Sequence, residues 1–276
     1  MLHSDSINNN ICAISTPPGF GGIAVVRVSG PDAIQIVNTI FSKEISKAKG
    51  YSLHYGEIIK NNHDIDQVVV SIFKSPKSFT GEDVVEISCH GSTYIQQEIL
   101  LLIIENGARI AKPGEFSQKA FINGKMDLTQ TEAIADLIHA KSKSAHDIAL
   151  NQMKGGFANE LSTLRTKLIE LASLVELELD FSEEDVEFAD RDQLQSLIET
   201  IIQNLEKLKQ SFNYGNAIKN GVPVVILGRP NAGKSTLLNN LIDDDRALVS
   251  EIPGTTRDTI EESYIINGIE FKFIDT

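Results

Sequence analysis

Hydrophobic and polar positions divide the chain into three stretches with different periods. In residues 1–120, short apolar runs alternate with Gly and Pro, which predicts an α/β domain. Through residues 121–216 apolar positions recur every three or four residues, which predicts a helical bundle domain. From residue 217 to residue 276 the short apolar runs return. The predicted fold class is therefore a multidomain α/β protein with these three domains.

Within the first stretch, the pattern predicts strands and helices separated by turns. The predicted strands span residues 23–28, 51–59, 67–73 and 84–89, with a turn at 60–63 between the second and third. Asp32 can cap a short helix that ends near Phe41. A second helix is predicted over residues 93–106, where Gly107 ends it.

The middle stretch predicts three amphipathic helices. Their apolar stripes lie within residues 134–149, 161–175 and 194–212. Thr129 and Glu132 have the spacing of a capping box, which would begin the first helix. Gly155 and Gly156 mark the break before the second helix.

The last stretch predicts three strands of an α/β domain. Residues 222–227 form an almost continuous apolar run, which is typical of a strand buried on both faces. Residues 261–266 and 269–274 flank Asn267-Gly268, which is a strong signal for a two-residue hairpin turn.

Composition narrows the function classes. The chain has 276 residues and a formal net charge of −13, which argues against broad electrostatic capture of nucleic acid or an anionic membrane. The two cysteines, Cys12 and Cys89, lie too far apart to suggest a disulfide framework. No apolar run approaches the roughly 20 residues of a membrane-spanning helix, and the first residues lack the features of a targeting peptide. We therefore expect a cytoplasmic protein with no membrane partner.

Many of the acidic residues are concentrated in residues 176–192. A solvated helix end and loop is the favoured interpretation, since most charge runs are solvated. A contact for a basic partner or for a divalent cation remains the alternative.

The segment Gly228-Arg-Pro-Asn-Ala-Gly-Lys-Ser235 matches the phosphate-binding loop pattern. It follows a predicted buried strand and precedes a helix-compatible segment, as such a loop requires. Backbone amides would surround the phosphates. Lys234 would reach the β- and γ-phosphates, and Ser235 would bind Mg²⁺.

A candidate switch segment follows about twenty residues later, as Ile252-Pro-Gly-Thr-Thr-Arg-Asp258. A threonine there can contact Mg²⁺ when the γ-phosphate is present. Asp275, at the end of the last predicted strand, would hold Mg²⁺ through water. The order of P-loop, threonine, hairpin and aspartate indicates a GTPase rather than a generic ATPase.

These motifs, with four others, resemble the MnmE (TrmE) family of tRNA-modification GTPases over essentially the whole chain. The others are Thr16-Pro-Pro-Gly-Phe-Gly-Gly22, Ser78-Phe-Thr-Gly-Glu-Asp-Val84, Ala111-Lys-Pro-Gly-Glu-Phe-Ser117 and Ala120-Phe-Ile-Asn-Gly-Lys-Met-Asp-Leu128. A stand-alone ribosome-assembly GTPase is disfavoured, because such proteins lack a counterpart of residues 1–216.

The resemblance implies a function in modification of the tRNA wobble uridine. The family adds an aminomethyl or carboxymethylaminomethyl group at C5, with 5-formyltetrahydrofolate as one-carbon donor and the FAD-dependent protein MnmG as partner in a heterotetramer. It also implies an N-terminal domain that forms a homodimer and binds the folate. By matched position, the implied folate contacts are Arg27, Glu86 and Lys125.

The resemblance also implies a nucleotide site that uses K⁺ and Mg²⁺ as cofactors. The implied GTP contacts are Asn231, Ala232, Gly233, Lys234, Ser235, Thr236, Ser250, Glu251, Ile252, Pro253, Gly254, Thr255, Thr256, Asp275 and Thr276. Of these, Ser235 and Thr256 are the implied Mg²⁺ ligands, and Asn231, Ser250, Ile252 and Thr255 the implied K⁺ ligands.

The catalytic glutamate of the family lies beyond Thr276, so no catalytic residue is assigned. The motif that reads guanine and the remaining strands of the GTPase domain also lie beyond that residue. We therefore expect this chain alone to hydrolyse GTP poorly. The alternative function is a folate-binding dimerisation module that carries an inactive remnant of a GTPase domain.

Overall fold

The computed structural model describes residues 9–180, 191–227, 233, 247–249 and 261–275. It confirms the predicted fold class, a mixed α/β protein with a helical region. The chain divides into two compact units, residues 1–131 and 132–276.

The first unit is built on a sheet with the strand order β3-β4-β5-β2-β1-β6. Neighbouring strands are antiparallel except for β1 and β6, which are parallel. The strands are β1 (Ile11–Ile14), β2 (Gly21–Ser29), β3 (Ser52–Lys60), β4 (His63–Phe73), β5 (Val84–Gly91) and β6 (Arg109–Ile110), and the helices are α1 (Ala33–Ile40), α2 (Thr93–Glu105) and α3 (Glu115–Ile122).

One face of this sheet forms the core of the unit with α1 and α2. Alternate residues of β2, namely Ala24, Val26 and Val28, are buried in that core. Because successive side chains of a strand point to opposite faces, Arg27 belongs to the other face. The same alternation in β5 buries Ile87 in the core.

The structure differs from the sequence prediction in several elements of this unit. The turn between β3 and β4 contains only Asn61 and Asn62, whose φ angles are 51° and 63°. Since asparagine tolerates the left-handed region, the turn is tight and β4 begins earlier than predicted. β1 and α3 were not predicted, because a four-residue strand and a short helix of weak apolar periodicity give little signal.

Asp32 lies at the N-cap of α1 as predicted, but its side chain does not cap the helix. Instead, the Asn10 amide donates to the Asp32 carboxylate at 3.1 Å, and the Asp32 backbone N–H donates to Asn10 Oδ1 at 2.9 Å. Asn10 lies so close to Gly30 that a Cβ there would be 2.3 Å from Asn10 Oδ1. Gly30 is therefore required where β1 and the start of α1 meet.

The second unit combines helices with a small sheet of strand order β7-β10-β9-β8. β7 and β10 are parallel, and the other neighbours are antiparallel. The helices are α4 (Leu128–His139), α5 (Lys143–Met153), α6 (Gly156–Asp180) and α7 (Arg191–Asn220), and the strands are β7 (Val222–Ile226), β8 (Ala247–Val249), β9 (Glu261–Ile266) and β10 (Ile269–Asp275).

The first predicted helix of the bundle is two helices, α4 and α5. Ser142 caps α5, and its hydroxyl accepts a hydrogen bond from the Ala145 backbone N–H at 3.2 Å. The predicted capping box at Thr129 and Glu132 is wrong. Asp127 accepts from the Gln130 backbone N–H at 2.8 Å, and Gln130 Oε1 accepts from the Asp127 backbone N–H at 2.9 Å. The box therefore begins two residues earlier than expected.

The predicted helices of the second and third stripes are confirmed as α6 and α7, which pack together. The less exposed positions match the predicted stripes only in part. Some are predicted stripe positions, namely Leu164 and Leu171 in α6 and Leu194, Ile201 and Leu208 in α7. Others were not predicted, namely Lys167, Leu174, Leu197, Thr200 and Asn204. Several predicted stripe positions, such as Leu168 and Leu205, are about half exposed instead.

The hairpin at Asn267-Gly268 is confirmed, with φ angles of 52° and 82° that suit its two turn residues. The prediction that the strand at 222–227 is buried on both faces is wrong. Val225 is 49% exposed and Leu227 is 77% exposed. β7 is the edge strand of the described sheet, so it pairs with a neighbouring strand on one side only. The side chains on one of its faces are exposed.

Candidate functional site

Arg27 and Glu86 form an ion pair on the face of the first sheet that lies opposite α1 and α2. They are directly opposite each other on the antiparallel strands β2 and β5. Arg27 Nε lies 2.8 Å and Nη2 lies 2.7 Å from the same oxygen, Glu86 Oε1. In the described residues, Glu86 Oε2 and Arg27 Nη1 have no hydrogen-bond partner in the protein. The two side chains are about one quarter exposed, so these free atoms face an accessible space.

Two aromatic rings flank the Arg27 guanidinium. Its Cζ atom lies 5.4 Å from the centroid of the Phe79 ring and 5.5 Å from that of Phe116. At these distances the positive charge interacts favourably with the ring faces. Phe79 lies in the loop between β4 and β5, and Phe116 lies in α3.

A buried polar network fixes that loop against the sheet and α3. The hydroxyls of Ser29 and Thr80 lie 2.7 Å apart, and Ser29 also contacts the Glu82 carboxylate at 3.1 Å. Lys119, which is 3% exposed, donates to Glu82 at 2.8 Å. Since a buried charge without a partner is costly, this network holds the loop and α3 in one arrangement.

A second ion pair anchors the beginning of α3. Arg109 donates from both of its terminal nitrogens to the Glu115 carboxylate, and the Lys112 backbone N–H donates to it at 2.7 Å. The hydrogen bond from Arg109 is the largest cause that lowers the pKa of Glu115. Phe116 follows directly in the sequence, so this pair positions the helix that carries it.

Lys125, the third predicted folate contact, lies between α3 and α4 and contacts the β4–β5 loop that carries Phe79. Its ammonium donates to the carbonyl of Pro76 at 2.9 Å, and its stem packs closely against Gly81. No described contact joins Lys125 to Arg27 or Glu86. The structure therefore brings two of the three predicted residues together, and the third is bonded to the β4–β5 loop that carries Phe79.

The sequence pattern does not predict the contributions of Phe79, Phe116, Thr80 and Lys119. All four lie within or beside the segments 78–84 and 111–117, which carry the family resemblance. Their position against Arg27 depends on contacts between residues distant in the sequence, which periodicity does not predict.

Most predicted nucleotide contacts lie outside the described residues. They are Asn231, Ala232, residues 234–236, residues 250–256 and Thr276, together with the rest of the P-loop except Gly233. Most of the acidic stretch lies outside them as well.

Two predicted nucleotide contacts are described, Gly233 and Asp275. Gly233 has a φ of 85°, in the left-handed region that favours glycine. Asp275 lies opposite Ile226 on the parallel pair of β10 and β7. Its backbone is therefore at the carboxyl end of the strand that leads into the P-loop segment, where parallel sheets place ligands.

The open face of the first sheet also carries exposed apolar side chains. On β3, Leu53 is 72% and Tyr55 is 56% exposed, and on β2 Ile23 is 71% exposed. Tyr55 pairs with Val69 of β4, which is 36% exposed. We call these four residues the open-face patch. Leu53, Tyr55 and Val69 are neighbours on β3 and β4, whereas β5 lies between them and Ile23 of β2. Exposed apolar side chains of this kind are typical of interfaces.

No group of three or more His, Cys, Asp or Glu side chains is arranged to hold a metal ion among the residues the structure describes. No described helix combines the length and the hydropathy needed to cross a membrane.

Comparison with known proteins gives matches along nearly all of the chain. Residues 10–125 match the family described as "GTP-binding protein TrmE N-terminus", and residues 128–269 match "MnmE helical domain". Among curated proteins, the chain is similar to three relatives that are each named tRNA modification GTPase MnmE.

The relative from Parabacteroides distasonis is 58% identical over 97% of this chain and 60% of its own length. Those from Flavobacterium johnsoniae and Cytophaga hutchinsonii are 54% and 56% identical, over 100% and 99% of this chain. The chain covers 59% of the length of each of these two. It therefore spans about three fifths of the length of the curated relatives that it matches.

Proposed function

The chain belongs to the MnmE (TrmE) family, and on that premise we propose that it is part of a GTPase that modifies the tRNA wobble uridine. In this proposal the enzyme adds an aminomethyl or carboxymethylaminomethyl group at C5, with a one-carbon unit from 5-formyltetrahydrofolate. The described chain would supply the folate-binding and dimerisation domain, the helical domain and the first part of the GTPase domain. These domains correspond to residues 1–120, 121–216 and 217–276.

The observation that supports the folate site most strongly is the arrangement of Arg27 and Glu86. Nε and Nη2 of Arg27 both bind Glu86 Oε1, so Glu86 Oε2 is free to accept hydrogen bonds. A pterin ring presents N–H donors along one edge, which a carboxylate oxygen can accept as a charge-assisted pair. Phe79 and Phe116 provide flat apolar surfaces beside the same pair, so the donor set fits a pterin.

Each residue then has a distinct contribution. Glu86 would accept from the donor edge of the pterin, and Arg27 would hold Glu86 in place while its free Nη1 donates to a carbonyl oxygen. Lys125 is exposed and has further N–H donors besides the one that binds Pro76. It would pair with a carboxylate of the folate tail. When bound, the folate supplies the one-carbon unit, and these residues bind and orient it.

The test is the affinity for 5-formyltetrahydrofolate, measured by isothermal titration calorimetry on the full chain and on Glu86→Gln. A hydrogen bond to a charged group contributes about 1.5–3 kcal/mol, so we expect the variant to bind roughly 10- to 100-fold more weakly. Glu98→Gln is the matched control, because Glu98 pairs with Lys60 at 2.8 Å at comparable exposure away from this site. Equal affinities of the wild type and Glu86→Gln would refute the assignment.

The proposed nucleotide site depends on the P-loop motif and on the register of β7 and β10. The P-loop begins two residues after β7, and Asp275 lies beside the end of that strand. Lys234 would contact the phosphates, Ser235 and Thr256 would bind Mg²⁺, and Asn231, Ser250, Ile252 and Thr255 would bind K⁺. The cations would offset the phosphate charge.

The proposed partners are a second copy of the chain, the FAD-dependent protein MnmG and tRNA. The open-face patch supports the homodimer, because it lies on the same sheet face as Arg27 and Glu86. A dimer through this patch would also enclose the proposed folate site. The alternative, a folate-binding dimer with an inactive GTPase remnant, predicts the same folate binding without any GTP binding.

A further inference from the structure

A cavity of about 290 Å³ lies in the first unit between the β1–β2 loop and the beginning of α2. Ile14, Thr16, Pro18 and Gly19 line it on the loop side. Thr93 and Gln96 line it on the helix side. No acidic side chain is among the residues that line it. The cavity is at the small end of the range for organic ligands.

Gln96 is an unusual residue for this position. It is 4% exposed and packs on the core side of α2. Its side chain has no hydrogen-bond partner within the part of the chain that the structure describes. Among the described residues, the side-chain atom that is buried without a partner is Glu270 Oε1, so the amide atoms of Gln96 are accessible. An accessible amide can take hydrogen-bond partners from a molecule beside it. Since Gln96 lines the cavity, a molecule in the cavity can supply those partners.

The beginning of α2 also lacks a side-chain cap. Ser92 occupies the N-cap, but its hydroxyl accepts no hydrogen bond from the helix. The first hydrogen bond of the helical pattern runs from the Gln96 backbone N–H to the carbonyl of the N-cap residue Ser92, at 3.0 Å. The N–H groups of the preceding turn are thus left without a described acceptor. Free N–H groups and the helix dipole together favour an anion here.

We propose that this cavity is a binding site for a small organic carboxylate. The carboxylate would accept from the free N–H groups at the start of α2 and from the Gln96 amide. The apolar body of the ligand would pack against Ile14 and Pro18. A carboxylate with an apolar body is favoured over inorganic phosphate because the loop side of the cavity offers apolar surface and no cation.

The site is separate from the proposed folate site. Gln96 and Ile14 belong to the core side of the sheet, whereas Arg27 and Glu86 lie on the opposite face. Gly91, the last residue of β5, directly precedes the N-cap of α2. It is five residues from Glu86 along the strand, which corresponds to about 17 Å at the usual rise per residue. If the folate assignment fails, the proposal for this cavity therefore still stands. If the cavity proposal fails, the folate assignment still stands.

The experiment follows the backbone amide resonances of Thr93 to Gln96 in the full, isotopically labelled chain during titration with benzoate. Benzamide serves as the neutral probe of the same shape, and inorganic phosphate as the anion without an apolar body. We expect saturable shifts with benzoate and at least fivefold weaker binding of both other probes. Equal binding of benzamide would overturn the proposal, as would equal binding of phosphate.

Two variants test the role of the Gln96 side chain. Gln96→Leu removes the amide at nearly constant volume, and Gln96→Glu places a negative charge where the carboxylate would bind. We expect each to weaken benzoate binding at least tenfold, while Gln118→Leu, a change at an exposed glutamine of α3, leaves it unaltered. Thermal unfolding confirms that each variant is folded. Unchanged benzoate binding by a folded Gln96 variant would contradict the proposal.

Discussion

At the scale of single residues, the two cysteines behave as buried apolar groups. Burial raises the pKa of both Cys12 and Cys89 to about 11. The charge of Arg109 opposes this shift at Cys12, whereas the charge of Asp66 adds to it at Cys89. Since the thiolate is the reactive form, neither side chain is suited to nucleophilic chemistry near neutral pH.

We therefore predict that neither cysteine of the folded chain reacts with iodoacetamide at pH 8. At that pH, a thiol with a pKa near 11 is ionised to roughly one part in a thousand. Mass spectrometry of the intact chain should show no label without denaturant and two labels in urea. Fast labelling of the folded chain at either cysteine would contradict the burial described here.

The residues of the proposed folate site show what the sequence can predict. The resemblance supplied Arg27, Glu86 and Lys125 by matched position. The sequence did not reveal that Arg27 faces Glu86. The two residues are 59 positions apart, and their pairing depends on the register of β2 and β5. The atom of Glu86 that is left free depends on side-chain geometry, which no sequence pattern contains.

At the scale of elements, the ion pair of Arg109 and Glu115 links β6 to α3. Glu115 is 8% exposed, and Arg109 and the Lys112 backbone donate to its carboxylate. Because α3 carries Phe116 and Lys119, loss of this pair would release the helix that packs over Arg27.

We predict that Glu115→Gln lowers the free energy of unfolding of the first unit by about 2 kcal/mol at pH 7, a typical value for hydrogen bonds to a charged group. The pKa of Glu115 is lowered in the folded state. Its contribution is therefore present above the unfolded pKa and is lost as pH falls through the folded value.

Urea unfolding of wild type and variant between pH 7 and pH 3 measures this contribution. The difference between the two proteins should shrink as the pH falls below about 4. Gln118→Leu on the same helix is the control. A difference that stays constant over this pH range would show that the carboxylate charge has no role.

Elements with strong local signals were predicted well, and elements fixed by distant contacts were not. β9, its hairpin turn and α2 follow from alternation, from Asn267-Gly268 and from the stop at Gly107. The break between α4 and α5 was missed because the apolar positions resume at Ala145, seven residues after Ile138, which keeps the period of a single helix. Exposure of β7 was missed because a continuous apolar run does not reveal whether a strand lies at the edge of its sheet.

At the scale of the whole molecule, the open-face patch supports association of two copies of the chain. We predict that the chain sediments as a dimer and that Leu53→Glu combined with Tyr55→Glu shifts it to monomer. Charged side chains at the centre of an apolar interface would remain buried without partners. Analytical ultracentrifugation over a range of concentrations measures this shift.

Tyr214→Glu is the control for the dimer prediction. Tyr214 is 68% exposed and belongs to α7 in the second unit. A wild-type chain that remains monomeric at high concentration would contradict the proposed interface, as would a double variant that still dimerises.

The central claim is that one chain holds a folate site at Arg27 and Glu86 and a separate GTP site at residues 228–235. Sequential calorimetric titration tests it most directly, first with 5-formyltetrahydrofolate and then with a non-hydrolysable GTP analogue in K⁺ and Mg²⁺ buffer. The account predicts one folate and one nucleotide per chain, and a Lys234→Ala variant that binds folate normally but no longer binds the analogue. A folded chain that binds no folate, or a Lys234→Ala variant that binds the analogue as the wild type does, would contradict it.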